Sequence, residues 1–265
     1  MTTTFALQNN WNRVEAMTAR LARALRNSGR ELFDFSVTDS IPDRLFEETS
    51  GTRFLYGSSQ MVRMAHADSR LSGDLFFEPE QFDQRTWVVH RQRDLLNGAG
   101  ENITWEELRS VTAKEQVFVR PTFDQKSFGG ALVGPDSARE WFAAAEERCG
   151  RLTGDSEVWV SSPKAISAEY RFIVLDHGPV AASLYRQNDT LVVSADVPEA
   201  VWDAARELAS GWMPARLVTM DVGLLKAGEF RIVEYNSIHS SGLYMPDLVK
   251  VIEAVERAYC RPERR

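Results

Sequence analysis

The sequence predicts an α+β protein in two parts, a small N-terminal α/β domain over residues 1–112 and a larger hairpin-rich domain over 113–265. Three observations support this. Short apolar runs alternate with helical periodicity in the first part. Two tight hairpins follow in the second, with turns at Asp176-His177-Gly178 and Lys226-Ala227-Gly228. The composition, 43% hydrophobic and 26% charged, is that of a globular chain and excludes disordered, collagen-like and disulfide-scaffold classes.

Trp11, Val14, Met17, Leu21 and Leu25 recur at helical spacing over 9–28, and Gly29 follows as a stop. Arg20, Arg23 and Arg26 lie opposite, as a solvated face. Phe33, Phe35 and Val37 alternate like a strand, and Arg53 to Ser58 reads as a strand entering a Gly-Ser turn before a helix over 59–67. Trp87-Val88-Val89 reads as a further short strand. Thr104 and Glu107 have capping-box spacing for a helix over 105–111.

Val117-Phe118-Val119 is a strand ending at Arg120-Pro121, and Phe128 to Val133 is its partner. Asp136 is placed to cap a helix running to Cys149, with Gly150 as its stop. Strands follow near 157–161, 169–176, 179–186 and 191–193. Pro198 opens a helix over 199–210 that Gly211 ends. Residues 216–225 and 229–236 form the second hairpin, and Met245 to Tyr259 closes as a helix.

That second hairpin carries chemistry. Glu234 and Asn236 are two apart and share a strand face. A loop closing symmetrically about Ala227-Gly228 places Asp221 opposite Glu234. Two carboxylates and an amide oxygen on one face suit Mg²⁺. A three-residue loop would shift the register by one and separate them. By spacing alone, the same residues read equally as a solvent-facing polar edge. A cationic set accompanies them: Arg120 at a strand end, Lys126 beside Gly129-Gly130, and Arg171 and Arg186 on either side of one hairpin. Strand arginines of this kind read equally as structural ion pairs, with Glu169 as one partner.

The ends and the charge narrow the classes. Residues 1–10 lack the pattern of a signal peptide, and no stretch is long and apolar enough to span a bilayer. Cys149 and Cys260 read as free thiols, and a cytoplasmic location is expected. His66, His90, His177 and His239 lack zinc-ligand spacing. A formal net charge of −7 argues against a polynucleotide partner, so any bound anion requires a local cluster of cations.

Taken in order, these segments resemble the ATP-grasp fold. The order is Phe118-Val119-Arg120-Pro121, Lys126, Gly129-Gly130, Val158-Trp159-Val160-Ser161, Glu169-Tyr170-Arg171, Asp221 and Glu234-Tyr235-Asn236. The tail Ser237 to Tyr244 resembles the loop that follows the metal-binding asparagine in such ligases. Arg120 replaces the usual strand-end lysine and the glycine loop is short. Both features resemble a divergent clade of bacteria and phages marked by two arginines and a lysine.

The resemblance covers about residues 116–252. It implies two α+β subdomains, 113–155 and 156–265, sandwiching ATP behind a pre-ATP-grasp domain. It implies ATP and Mg²⁺ as cofactors, with Asp221, Glu234 and Asn236 on the metal. Arg120, Lys126, Gly129, Gly130, Trp159, Val160, Ser161 and Glu169 would bind the nucleotide, the hinge backbone near Trp159 holding adenine. Arg171, Arg186 and Lys126 would be catalytic, and His239, just past the metal-binding strand, would be a base for the incoming amine or a hydrogen-bonded loop residue. The implied activity is ligation of a small-molecule or peptide carboxylate to an amine through an acyl phosphate. A kinase-type phosphotransferase and a non-catalytic nucleotide-binding module are the alternatives.

Overall fold

The computed structural model describes residues 3–11, 15–122 and 128–260, arranged as three β-sheets with helices packed on their faces. The first sheet is parallel. β1 (Thr3–Gln8) lies between β2 (Leu32–Phe35) and β3 (Thr52–Tyr56), and α1 (Glu15–Asn27) makes the crossover from β1 to β2. β1 is buried along its whole length, so it lacks the alternation that marks a half-exposed strand. The N-terminal helix therefore begins after this strand, later than its apolar spacing suggests. α2 (Arg44–Glu48) and α3 (Ser59–Ala67) flank β3, and the Ser58 hydroxyl caps α3 by accepting from the Met61 N–H.

Trp87-Val88-Val89 is not a strand. It lies in α4 (Gln84–Arg91), whose N-terminus is capped by the Asp83 side chain accepting from the Arg85 N–H. A strand would place residues 87 and 89 on one face; here Trp87 is buried and Val89 is 80% exposed.

The second sheet is antiparallel, in the order β4-β7-β5-β6. It comprises β4 (Glu101–Thr104), β5 (Val117–Pro121), β6 (Ala131–Val133) and β7 (Glu157–Ser161). α5 (Trp105–Thr112) and α6 (Ala138–Cys149) cover one face, burying Trp105, Leu108 and Phe142 against Val117, Val119, Val158 and Val160. α5 opens with the complete Thr104–Glu107 capping box. α6 starts after Ser137, one residue beyond the Asp136 expected as its cap, and ends on Gly150 at φ 57°. β4 and α5, which precede residue 113, belong to this sheet and its cover.

The third sheet has the order β10-β9-β8-β11-β12. Its strands are β8 (Ile166–Leu175), β9 (Gly178–Gln187), β10 (Thr190–Ser194), β11 (Leu217–Leu225) and β12 (Phe230–Ser237). Asp176 and His177, at φ 47° and 66°, make the tight turn between β8 and β9. α7 (Glu199–Ala209) packs on one face; α8 (Leu248–Tyr259) and α1 pack on the other. Phe172, Val174, Val218, Met220 and Tyr235 point to the first core, and Ile173, Leu175, Leu217 and Ile238 to the second.

The second face changes character along its length. Its apolar end lies under α8 and the parallel sheet. Its other end carries Arg171, Asp221, Glu234 and Asn236 beyond that cover, so the strand period itself carries polar groups into the interdomain cleft.

The register of β11 and β12 has an unexpected origin. Leu224 pairs with Phe230, Gly223 with Arg231 and Val222 with Ile232, the pattern of a three-residue loop. Continued unbroken, it would set Asp221 opposite Val233. A bulge between Asp221 and Val222 takes up the extra residue, so Asp221 pairs with Glu234 and Thr219 with Asn236. Ile232 and Tyr235, three apart, consequently face the same core.

Candidate active site

A cleft of about 890 Å³ opens where the three sheets meet. β5 contributes Phe118 and Arg120, the segment leading into β6 contributes Gly129 and Gly130, and α6 adds Arg148. The third sheet contributes Arg171, Glu234 and Asn236. The N-terminal domain contributes Trp11, Ser58, Ser59, Gln60 and Arg63, and the loop after β12 contributes Ser240 to Gly242 and Tyr244.

Arg120 stands at the end of β5 on the face away from the Val117/Val119 core, and its guanidinium crosses to the third sheet. It donates to Glu234 Oε2 at 3.1 Å and to the bulged Val233 carbonyl at 3.3 Å. Asn236 Nδ2 donates to Glu234 Oε1 at 2.8 Å. Gly130 lies close against Phe118: a Cβ there would come within 2.6 Å of the end of its ring.

Behind the cleft surface is a buried ionic layer. Arg171 and Asp221 are cross-strand partners on β8 and β11. Arg171 Nε donates to Asp221 Oδ1 at 2.7 Å and Nη2 to Oδ2 at 2.6 Å, a bidentate pair. Its Nη1 donates to the Gly242 carbonyl at 3.3 Å. The Tyr185 hydroxyl lies 2.5 Å from Glu169 Oε2 and 3.3 Å from Asp221 Oδ2. Tyr185 and Tyr244 stack 5.0 Å apart and 7° from parallel, with the Arg171 guanidinium over both rings. Burial pushes the Asp221 carboxyl up to about 6, against the pull of Arg171. Burial also opposes the Arg171 charge, but Asp221 outweighs it and holds the guanidinium well above its ordinary value. Burial raises the Tyr185 hydroxyl as well, keeping it a neutral donor.

The loop after β12 is fastened to the N-terminal sheet. The Tyr56 hydroxyl donates to the Ser241 carbonyl at 2.7 Å and the Gly57 N–H to the His239 carbonyl at 2.8 Å. Arg20, expected on a solvated face, donates to the Tyr244 carbonyl. His239 is fully buried: its Nε2 accepts from the Phe76 N–H at 2.9 Å and its Nδ1 lies 2.7 Å from the Leu55 carbonyl. Both ring nitrogens are engaged, and burial pushes its pKa down to about 4. It is a neutral structural residue, with no nitrogen left to take a proton from an amine.

The sequence-expected residues divide. Arg120, Gly129, Gly130, Arg171, Glu234 and Asn236 converge on the cleft. Asp221 and Glu169 lie one layer behind it. Arg186 is half-exposed and pairs with Glu169 at 3.4 Å. Trp159 is buried, its Nε1 donating to the Asn97 carbonyl at 2.8 Å, and Ser161 donates to Asn97 Oδ1 at 2.9 Å. Val160 faces the core under α5 and α6. None of the three hinge residues lines the cleft. Lys126 lies outside the described residues.

Arg63, Arg148, Phe118 and Trp11 are cleft residues that the sequence did not single out. Arg63 lies one helical turn after Ser59 on α3, and both line the cleft, but nothing in its sequence context marks it. Arg148 is likewise unmarked, because only the packing of α6 brings it near.

The donor set bears on magnesium. Among the described residues, no three His, Cys, Asp or Glu side chains converge. Glu234 and the Asn236 amide oxygen are hard donors at the cleft wall and fit a Mg²⁺ that takes its other ligands from phosphate and water. Asp221 does not fit as it stands, being inaccessible to solvent with both oxygens on Arg171.

The model of an ATP-grasp domain family, the second family of the clade marked by two arginines and a lysine, matches residues 99–254, more than half of the chain. Among solved structures, D-cycloserine synthetase DcsG is similar at TM-score 0.63 and 11% identity, covering 97% of this chain and 100% of that one. The D-alanine–D-alanine ligase of Bacillus anthracis is similar at TM-score 0.58 and 10% identity, covering 97% of each chain. The ATP-grasp ligase PsnB, solved with minimal precursor, Mg and ADP, is similar at TM-score 0.53 and 13% identity, covering 98% of each. At these identities the likeness shows a shared fold. No curated protein matches the chain.

Proposed function

The chain belongs to the ATP-grasp family, and on that premise we propose that it is an ATP-dependent ligase joining an amino-acid or peptide carboxylate to an amine. One observation carries this reading. Cations from one antiparallel sheet and oxygen donors from another meet across a single cleft, with Arg120 reaching Glu234 over the gap. The relatives named as ligases support the reaction class, and the PsnB complex with Mg and ADP supports the cofactors.

The reaction has two steps. The substrate carboxylate oxygen bonds to the γ-phosphorus of ATP as the bond to the β-phosphate oxygen breaks, releasing ADP. The amine then attacks the acyl carbon, the C–N bond forms and phosphate leaves with the C–O electrons. Both steps are governed by positioning and charge stabilisation.

Glu234 and Asn236 would hold Mg²⁺, which supplies phosphate charge neutralisation when bound. Arg120 neutralises phosphate oxygens from the β5 side, with the Gly129-Gly130 backbone lining the same side of the cleft. Arg171 presents the second hydrogens of Nη1 and Nη2, the others being taken by Asp221 and Gly242. Lys126 and Arg186 are proposed to complete the phosphate-binding set. His239, neutral and enclosed, is not the base for the amine.

The test is ADP release with a panel of amino acids and peptides, with product mass determined. An amide product with ADP and phosphate supports the ligase. A stable phosphorylated product would replace it with a kinase, and absence of ATP binding with Mg²⁺ in calorimetry would leave neither.

A further inference from the structure

We infer that Asp221 is a positioning residue for Arg171, remaining paired with it when nucleotide and metal bind, so that Glu234 and Asn236 are the chain's own metal donors among the described residues. This rests on the nucleotide reading above and departs from the metal role that spacing gave Asp221.

The geometry of the pair points this way. Asp221 lies on β11 directly between Arg171 on β8 and Glu234 on β12. Both of its oxygens lie within 2.7 Å of Arg171 nitrogens, and the Tyr185 hydroxyl adds a further contact. Asp221 has no exposed surface, whereas the Glu234 side chain is 31% exposed and lines the cleft.

Turning Asp221 to a metal would break both hydrogen bonds of the bidentate pair and leave Arg171 with only the phosphate as counter-ion. The next carboxylate, Glu234 Oε1, is 3.8 Å from Arg171 and already accepts from Asn236. Arg171 gains from the pairing. Asp221 grips one edge of the fork, Gly242 accepts from Nη1, and the Tyr185 and Tyr244 rings lie within 5.4 Å of the guanidinium carbon. A donor held this way reaches a phosphate oxygen without reorganising at the moment of transfer.

The test combines a spectroscopic arm with a binding arm. In ¹⁵N NMR of the wild-type protein, Arg171 Nε–H, assigned by its loss in Arg171→Lys, is expected as a solvent-protected signal. It should persist when Mg²⁺ and a non-hydrolysable ATP analogue are added. In the binding arm, Asp221→Asn should weaken metal-free analogue binding about tenfold, with no further loss in the Arg171→Lys background. Mn²⁺ affinity of the analogue complex, read by EPR, should stay within about twofold in Asp221→Asn and fall at least tenfold in Glu234→Gln. Loss of the Nε–H signal on adding Mg²⁺ and analogue overturns the inference. So does a fall in Mn²⁺ affinity for Asp221→Asn matching that for Glu234→Gln. If Asp221→Asn does not fold, the wild-type NMR arm decides alone. An analogue that fails to bind the wild type overturns the nucleotide reading and this inference together, whereas the first two outcomes overturn the inference alone.

Discussion

Asp221 and Glu234 are cross-strand partners because one residue of β12 bulges out of the ladder between them and the hairpin turn. The freed Val233 carbonyl accepts from Arg120, which also pairs with Glu234. One local irregularity thus sets the register of the polar row and supplies an anchor for the cation that spans the cleft.

Glu234→Ala is expected to lower ADP release by about 100-fold or more, since it removes both a metal donor and the partner of Arg120. The side chain is partly exposed, so the thermal midpoint should change little. ADP release and a melting curve on the same preparation check this. Normal turnover would remove Glu234 from the metal site.

Two neighbouring glycines separate close approach from backbone freedom. A Cβ at Gly130 meets the end of the Phe118 ring at 2.6 Å, while at Gly129 nothing lies within 4 Å. The ring can turn aside, so the cost in stability is small, but Phe118 lines the cleft. Gly130→Ala should raise the KM for ATP several-fold, and Gly129→Ala should leave it near wild type. Equal effects would mean that the ring is not what senses the change.

His239 makes stability depend on pH. The unfolded chain takes up this proton near pH 6.5 and the folded chain only near pH 4. Its contribution is therefore complete above about pH 6.5 and is lost as pH falls through that window, by roughly 3 kcal/mol at most. Denaturant unfolding at pH 7 and pH 5 should show a larger loss for the wild type than for His239→Gln. A parallel pH dependence in the two proteins would contradict the buried neutral histidine.

The helical assignment of α4 is tested by a pair of substitutions. Trp87→Ala should cost about 3–5 kcal/mol, because the ring packs edge-on against Tyr235 in the core. Val89→Lys should change stability by less than about 0.5 kcal/mol. Comparable losses from both would restore the strand, in which residues 87 and 89 share a face.

Much of this protein was legible locally. The Thr104–Glu107 capping box, the Gly150 stop and the Asp176-His177 turn are short-range stereochemistry, and each formed where the residues predicted. The ordered series from Arg120 to Asn236 carried the family resemblance that implied the fold, and the strand period of two set Glu234 and Asn236 on one face. β1 and α4 were harder, since a fully buried strand lacks alternation and an apolar triplet fits either structure until its neighbours decide.

Tertiary structure decided the rest. Spacing alone allowed Asp221 and Arg171 to be a metal ligand and a phosphate ligand; pairing β8 with β11 set them against each other, and burial made that pair costly to break. The family resemblance offered His239 as a base; enclosure between Leu55 and Phe76 made it a neutral fastener. The sequence by itself determined the fold class and the inventory of charged groups near the cleft. Which charges face the cleft and which are spent on one another depends on register and desolvation, properties that arise only when distant strands are brought together.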